Sequence, residues 1–309
     1  MEDLYVVKQG CVIKKFDEQF LVTKGGIKIF SVPTYKVDKI LLFGNQQITS
    51  QALALAFENN IDVLFLSTKG RLKGKVYPNI SKNVYLRFAQ YECWRDKERR
   101  LKLAKIFIKG KIVNQQNLLK RYKIYDERLE GLMLNVERAK DNEELLGIEG
   151  LASKYYFEDL KNIIPKDYNF DGRNRRPPKD EVNSLLSLTY TMVLNEIISQ
   201  VERNGLDSYV GFLHSIKYGR QSLPLDLLEE FRQYFCDLFI IKLLNRKEIT
   251  KLDFYFDEDG VFLKENSLKK YILKFNNEME KVKPLIKNQI SLLKNYFIRG
   301  EEYMPVVLK

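Results

Sequence analysis

The chain has 309 residues, 45% hydrophobic and 30% charged with a net charge of +11, which suits about two packed domains and excludes a disordered or acidic class. No run of about 18 apolar residues occurs, and the acidic-first start MEDLYVVKQG lacks a signal-peptide pattern, so no membrane span or secretion is expected. Cys11, Cys93 and Cys236 are too scattered for a disulfide framework or zinc knuckle, which points to buried thiols in a reducing cytoplasm.

Residues 1 to about 78 read as strands, because short apolar stretches (LYVV, CVIKKF, FLVT, GIKIFSV, ILLF) are punctuated by Gly10, Gly25, Gly26, Pro33 and Gly44. One helix interrupts them, TSQALALAFENN, capped by Thr49 or Ser50. The continuous run IDVLFLS then predicts a buried strand, and KGRLKGKVYP a basic hairpin or strand end closed by Pro78. From Ser81 the apolar period changes to three and four, predicting helices over 81–108, 113–140, 143–162, 180–203, 224–246 and, finally, about 266–299. A return to strand is expected at LDFYFDEDGVFL, where Asp259-Gly260 signals a hairpin. The fold class is therefore α+β, with a β-rich domain over 1–80 and a mostly α-helical domain over 81–309.

Charge is concentrated in residues 82–123, where thirteen Lys or Arg meet three acids. Such a stripe attracts a polyanion by counterion release, and nucleic acid is the expected partner. Arg173, Arg175, Arg176 and Lys179 flank Pro177-Pro178, whose extended backbone suits arginine forks on phosphate. Asn183, just inside the next helix, reads either as a polar helix-start residue or as a site residue.

His214 is the only histidine and stands in GFLHSIKYGRQSLPLDLLEEFR, upstream of Asp226 and Glu229. Ser222 is the expected cap of the helix that follows, with Pro224 in its first turn. Leu228, Phe231, Phe235 and Phe239 form its apolar stripe, and Asp226, Glu229, Glu230 and Gln233 share the other side. That side reads as an ordinary polar face or as ligands to an ion. Glu149 lies on an apolar face with Leu145 and Ala152, flanked by Gly147 and Gly150, where a lone carboxylate needs a counter-ion or a metal. One imidazole with two carboxylates suits Mg²⁺ or Mn²⁺, which can polarise a phosphoryl oxygen and activate a hydroxyl. Neither a GxxxxGKS/T loop nor HExxH occurs, and one histidine without a neighbouring Ser or Cys motif argues against a nucleophilic triad.

Taken in order, ILLFGNQQITSQALALAFENNIDVLFLSTKGRLKG, AKIFIKGKIVNQQNLLKR, GIEGLASKYYF, RNRRPPKDEVNSLLSLTYTMV, VGFLHSIKYGRQSLPLDLLEEFR, DGVFL and Tyr303-Met304-Pro305 resemble the CRISPR-associated spacer integrase family across the whole chain. The tail YMPVVLK departs from it, since members often carry an aromatic after the proline. The resemblance implies a β-rich dimerisation domain and a helical catalytic domain that binds metal and DNA. It implies Glu149, His214 and Glu229 as metal ligands, Asp226 as a catalytic acid beside them, and Asn183 as a site-adjacent residue. The implied reaction is attack of a duplex 3′-hydroxyl on a phosphodiester at a CRISPR repeat boundary, by a homodimer joined to a smaller CRISPR-adaptation partner. In that reading the basic stretch 82–123 and RNRRPPK position the DNA backbone. Two alternatives use the same residues: a metal-dependent DNase that hydrolyses branched or double-stranded DNA, and a DNA-binding scaffold without catalysis.

Overall fold

The computed structural model describes residues 2–77, 83–174 and 177–309; Pro78, Ser81, Arg175 and Arg176, singled out above, lie outside them, as does Lys82 at the start of the basic stretch. The chain is α+β, strands first and then mostly helix. It divides into two compact units, one of residues 1–80, 253–255 and 262–281, the other of 81–252, 256–261 and 282–309. Relative to the expected boundary at 80/81, much of the late hairpin and the start of the last helix group with the first unit. Among the described residues no helix is long and apolar enough to cross a membrane.

In the first unit, β1 (Glu2–Val6), β5 (Val37–Phe43), β7 (Asp62–Leu66) and β8 (Leu72–Val76) form one sheet in the order β1-β5-β7-β8. The run IDVLFLS is its inner strand β7, parallel to β5 and antiparallel to β8. A parallel pair needs a crossover, and α1 (Ser50–Glu58) provides it, with the Thr49 hydroxyl accepting from the Ala52 amide at 3.3 Å. A second sheet runs β4 (Ile27–Pro33), β3 (Gln19–Lys24), β2 (Cys11–Phe16), β6 (Gln47–Ile48). Ile13 and Phe20 of this sheet, Ile40 and Val63 of the first sheet and Leu55 of α1 are buried in one common core. β4 is an edge strand, with Ile27, Ile29 and Phe30 exposed.

The second unit is built on α2 (Val84–Arg95), α3 (Lys97–Arg121), α4 (Glu127–Arg138), α5 (Asn142–Leu160) and α6 (Glu181–Arg203). α7 (Ser222–Phe231) continues through a π segment at 232–237 into α8 (Leu238–Asn245). The hairpin β9 (Phe254–Asp257) and β10 (Gly260–Leu263) precedes α9 (Glu265–Arg299), a single helix that runs through Pro284. The break expected at 109–112 falls at Asp96 instead. The Asp96 carboxylate accepts from the Glu98 and Arg99 amides, both at 3.0 Å, and starts a new helix there. Gly110 does not break α3; it makes room for Pro305, whose Cβ stands 2.6 Å from where a side chain would begin.

Candidate active site

Four elements of the second unit position the site: α3, α5, α7 and the segment 211–214. That segment is pinned from both sides. Asp226, buried on α7, accepts the Phe212, Leu213 and His214 amides at 2.6, 3.0 and 2.9 Å. Asn142, in the first turn of α5, donates to the Phe212 and Leu213 carbonyls at 2.5 and 3.0 Å. Phe212 and Leu213 are fully buried, and Phe212 stacks on Phe297 with centroids 5.1 Å apart. Gly211 is required by crowding, since a Cβ there would lie 2.5 Å from Ser222 Cβ and 2.7 Å from the His214 carbonyl oxygen. The expected Ser222 cap is corrected: Ser222 is the first residue of α7, and its hydroxyl donates to the Ser215 carbonyl at 3.0 Å.

The imidazole is thereby aimed. His214 Nδ1 lies 2.7 Å from Asp226 Oδ1, so Nε2 is the nitrogen left to meet a ligand, as in carboxylate-supported metal histidines. Burial alone would push the imidazole pKa down; the Asp226 hydrogen bond and charge, with the charge of Glu229, hold it above its ordinary value.

Glu149 and Glu229 come from α5 and α7 and meet on one cation. Lys111 on α3 bonds Glu149 Oε1 and lies 2.6 Å from Glu229 Oε2. Ser153 donates to Glu149 Oε1 at 2.9 Å, and Arg232 Nε donates to Glu229 Oε2 at 2.9 Å. Burial acts to raise the Glu229 carboxyl, but Arg232 and Lys111 together bring it down to about 2. Burial and the nearby Glu229 act to raise the Glu149 carboxyl, but the Lys111 charge with the Lys111 and Ser153 hydrogen bonds brings it below its ordinary value. Among the described residues, nothing lies within 4 Å of a Cβ built on Gly147 or Gly150.

The polar side read on the 224–246 helix is not solvated. Asp226, Glu229, Glu230 and Gln233 are all buried, each held by partners from other elements or from its own helix. The π segment brings Arg232 and Asp237 to Tyr190 of α6: the guanidinium lies 4.5 Å from the ring centroid, and the Tyr190 hydroxyl donates to Asp237 Oδ1 at 2.6 Å. Tyr156 donates to Asp237 Oδ2 at 2.8 Å, so one buried carboxylate ties α5 to α6.

Glu230 holds residues 301–309 instead of an ion. Tyr303 Oη donates to its Oε1 and the Val306 amide to Oε2 at 3.0 Å, while Asn114 donates to the Glu230 and Val306 carbonyls at 2.9 Å each. Burial pushes the Glu230 carboxyl up to about 8 against those hydrogen bonds. A raised folded pKa contributes stability that is complete below the ordinary value of 4.5 and is lost as pH rises through about 8. Beyond a constant offset from its amino group meeting a donor, Glu230→Gln is therefore expected to gain on the wild type from about pH 4.5 up to about pH 8, by at most about 1.4 kcal/mol per pH unit, then level off. Urea unfolding across that range checks this; a constant difference at every pH would refute it.

The predicted DNA-binding residues divide. Arg173 is turned inward: its guanidinium donates to Asn183 Oδ1 at 2.8 Å and Ser187 Oγ at 3.1 Å and lies 5.4 Å from the Tyr190 centroid. Asn183 is 0% exposed, its amide closing the loop through Arg173, the Asn174 amide, the Gly172 carbonyl and Asp180. Both therefore hold the loop, Asn183 fully buried and Arg173 half-buried, while Lys179 is exposed. In the basic stretch, Arg99, Arg100, Lys105, Lys109, Lys111 and Arg121 engage Tyr296, Trp94, Glu137, the two site carboxylates and Lys309, whereas Arg95, Lys97, Lys102 and Lys123 are exposed.

Two site residues escaped the sequence reading, Lys111 and Arg232. Lys111 carried a signal, because it interrupts the buried stripe of Ala104, Phe107, Ile108, Leu118 and Leu119 on α3. Among the described residues no three His, Cys, Asp or Glu side chains stand grouped to hold an ion; the Lys111 ammonium bridges two of the expected ligands. The donor set nevertheless fits a divalent cation: two carboxylates from separate helices already share one positive centre, next to an imidazole supported by Asp226.

The family model for CRISPR associated protein Cas1 matches residues 4–277. A CRISPR-associated endonuclease Cas1 of Thermus thermophilus is 35% identical over 272 residues, covering 87% of this chain and 82% of that one. A CAS1 protein from Thermotoga maritima superposes with a TM-score of 0.91 at 24% identity over 99% of both chains. A casposase bound to integration product does so with a TM-score of 0.89 at 24% identity, over 99% of this chain and 93% of that one. A chain of a Cas6-RT-Cas1–Cas2 complex gives 0.86 at 22% identity, over 99% of this chain and 36% of that one.

Proposed function

The chain belongs to the Cas1 family of CRISPR-associated proteins, and from that premise we propose that it is a metal-dependent DNA endonuclease-integrase that inserts short duplexes into a CRISPR array. The observation that carries this reading is the meeting of Glu149 and Glu229 on one positive centre beside a His214 aimed by Asp226. Glu149, His214 and Glu229 would hold Mg²⁺ or Mn²⁺. When bound, the ion supplies Lewis acidity at the phosphoryl oxygen and favours ionisation of the attacking hydroxyl. Asp226 keeps the imidazole in register, and Arg232 fixes the Glu229 carboxylate. In the reaction, a duplex 3′-oxygen forms a bond to phosphorus as another 3′-oxygen leaves, the attacking hydroxyl's proton passing to solvent and the departing oxygen taking one up from it. One phosphodiester replaces another, so no nucleotide cofactor is consumed.

Exposed Arg95, Lys97, Lys102, Lys123 and Lys179 supply positive charge for DNA backbone. The exposed apolar residues of edge strand β4 support pairing with a second copy, as an uncovered apolar edge is a template for another chain. A Cas2-type protein is the proposed smaller partner, supported by the similarity to a chain of a Cas1–Cas2 complex.

His214→Ala tests the site with the least disturbance, because this side chain is 23% exposed and Asp226 keeps its backbone donors. Joining of a 3′-hydroxyl duplex to a repeat-containing plasmid is expected to fall by more than ~100-fold, beyond what loss of a merely orienting residue causes. Unchanged joining would overturn the site assignment. The naming of curated relatives as endonucleases favours hydrolysis as the second reading, and the same assay separates the two: cut plasmid without joined product supports it.

A further inference from the structure

We propose that Lys111 is a resident cation of this centre: it holds Glu149 and Glu229 together when no divalent ion is bound, competes with that ion for both carboxylates, and passes to the Gln115 amide when the ion binds. Resting on the metal-binding reading of Glu149 and Glu229, this assigns a role to a residue outside the expected ligand set. The Lys111 side chain is 3% exposed, and its ammonium is paired with Glu149 and Glu229. A buried ammonium is costly without partners, and those Lys111 has are the two carboxylates the ion would need. An ammonium is a compact point charge with several donors, which is why it can stand where a cation stands. Two cations drawn to the same pair of carboxylates repel each other at close range, so the ion and Lys111 compete.

A displaced ammonium on α3 stays within reach of its own helix. Gln115 lies one turn along, on the same side. It is 0% exposed, and neither its Oε1 nor its Nε2 has a hydrogen-bond partner among the described residues. A buried amide with both ends unmatched calls for an explanation, and an ammonium arriving from position 111 provides one: Oε1 accepts it. Lys111 is thus a positioning residue that pre-assembles the carboxylates and raises the ion concentration at which the centre fills.

Calorimetric titration of the full chain with Mn²⁺, paired with thermal unfolding in chelator, tests this. Lys111→Met is expected to melt below the wild type in chelator yet to bind Mn²⁺ at least ~10-fold tighter, because a like charge beside the ion is removed. Gln115→Leu is expected to bind Mn²⁺ ~3-fold weaker, the displaced ammonium having lost its acceptor. Opposite signs from neighbouring positions are not produced by general loss of structure. If Lys111→Met does not fold, Lys111→Gln keeps the hydrogen-bond donors without the charge and is expected to tighten binding in the same direction. Affinity in both Lys111 variants no tighter than the wild type overturns the competition. Affinity in Gln115→Leu no weaker than the wild type overturns the destination. Wild-type binding that is abolished by Glu229→Ala, with Lys111 variants unchanged, removes this proposal alone; no Mn²⁺ binding by the wild type removes the metal reading and this proposal with it.

Discussion

Asp226→Ala is expected to destabilise the protein by roughly 3–5 kcal/mol and to reduce strand joining with it. The carboxylate is 0% exposed and accepts three consecutive backbone amides as well as His214 Nδ1. Removing it strands three buried donors, each with a desolvation cost of about 1–3 kcal/mol, partly relieved by local relaxation. It also frees the imidazole to rotate, so joining is expected to fall ~10–100-fold even where the protein is folded. Asp226→Asn separates the two effects, since its remaining carbonyl oxygen still accepts while its amino group opposes the donors, giving an intermediate stability. Urea midpoints measured beside joining rates decide this; an Asp226→Ala variant as stable as the wild type would show that the three amides have other partners.

Glu229→Ala is expected to lose both joining and about 3–5 kcal/mol of stability, because it leaves the largely buried Arg232 without its carboxylate and Lys111 with Glu149 alone. The Glu229 side chain is 4% exposed, its partner Lys111 3% and Arg232 12%. Glu229 is thus a structural anion as well as a candidate ligand. Glu149, at 21% exposed, is expected to be milder. Glu229→Gln keeps the volume and an acceptor, so it should recover part of the stability while joining stays lost. Its pH dependence has a definite sign. A carboxyl lowered from 4.5 to about 2 contributes stability present above 4.5 and lost as pH falls through about 2, so the gap between wild type and Glu229→Gln should close over that window. A gap that persists at the acid end would refute the pairing as its origin.

Much of the architecture was readable along the chain. Alternating apolar stretches, the Thr49 cap and the run IDVLFLS correspond to strands, α1 and β7 in the fold. The hairpin at Asp259-Gly260 also stands, as β9 and β10. These features are local: period, capping and turn chemistry act within a few residues. The break at Asp96 was missed because an aspartate within a helical pattern signals a cap only when its carboxylate turns onto the following amides.

Composition and motif order, by themselves, determined the α+β class, the family resemblance and the three residues on which the functional proposal rests. Tertiary structure alone decided that α7 is buried on its polar side, that Asp226 grips the backbone before His214, that Lys111 joins Glu149 to Glu229, and that Arg173 and Asn183 serve a loop. The reason is physical. A helical period reports which side of a helix is apolar, but a charged side chain becomes a ligand, a strut or a solvated group only through partners from distant helices. Lys111 and Glu229 are separated by much of the chain, and no local pattern encodes their pairing.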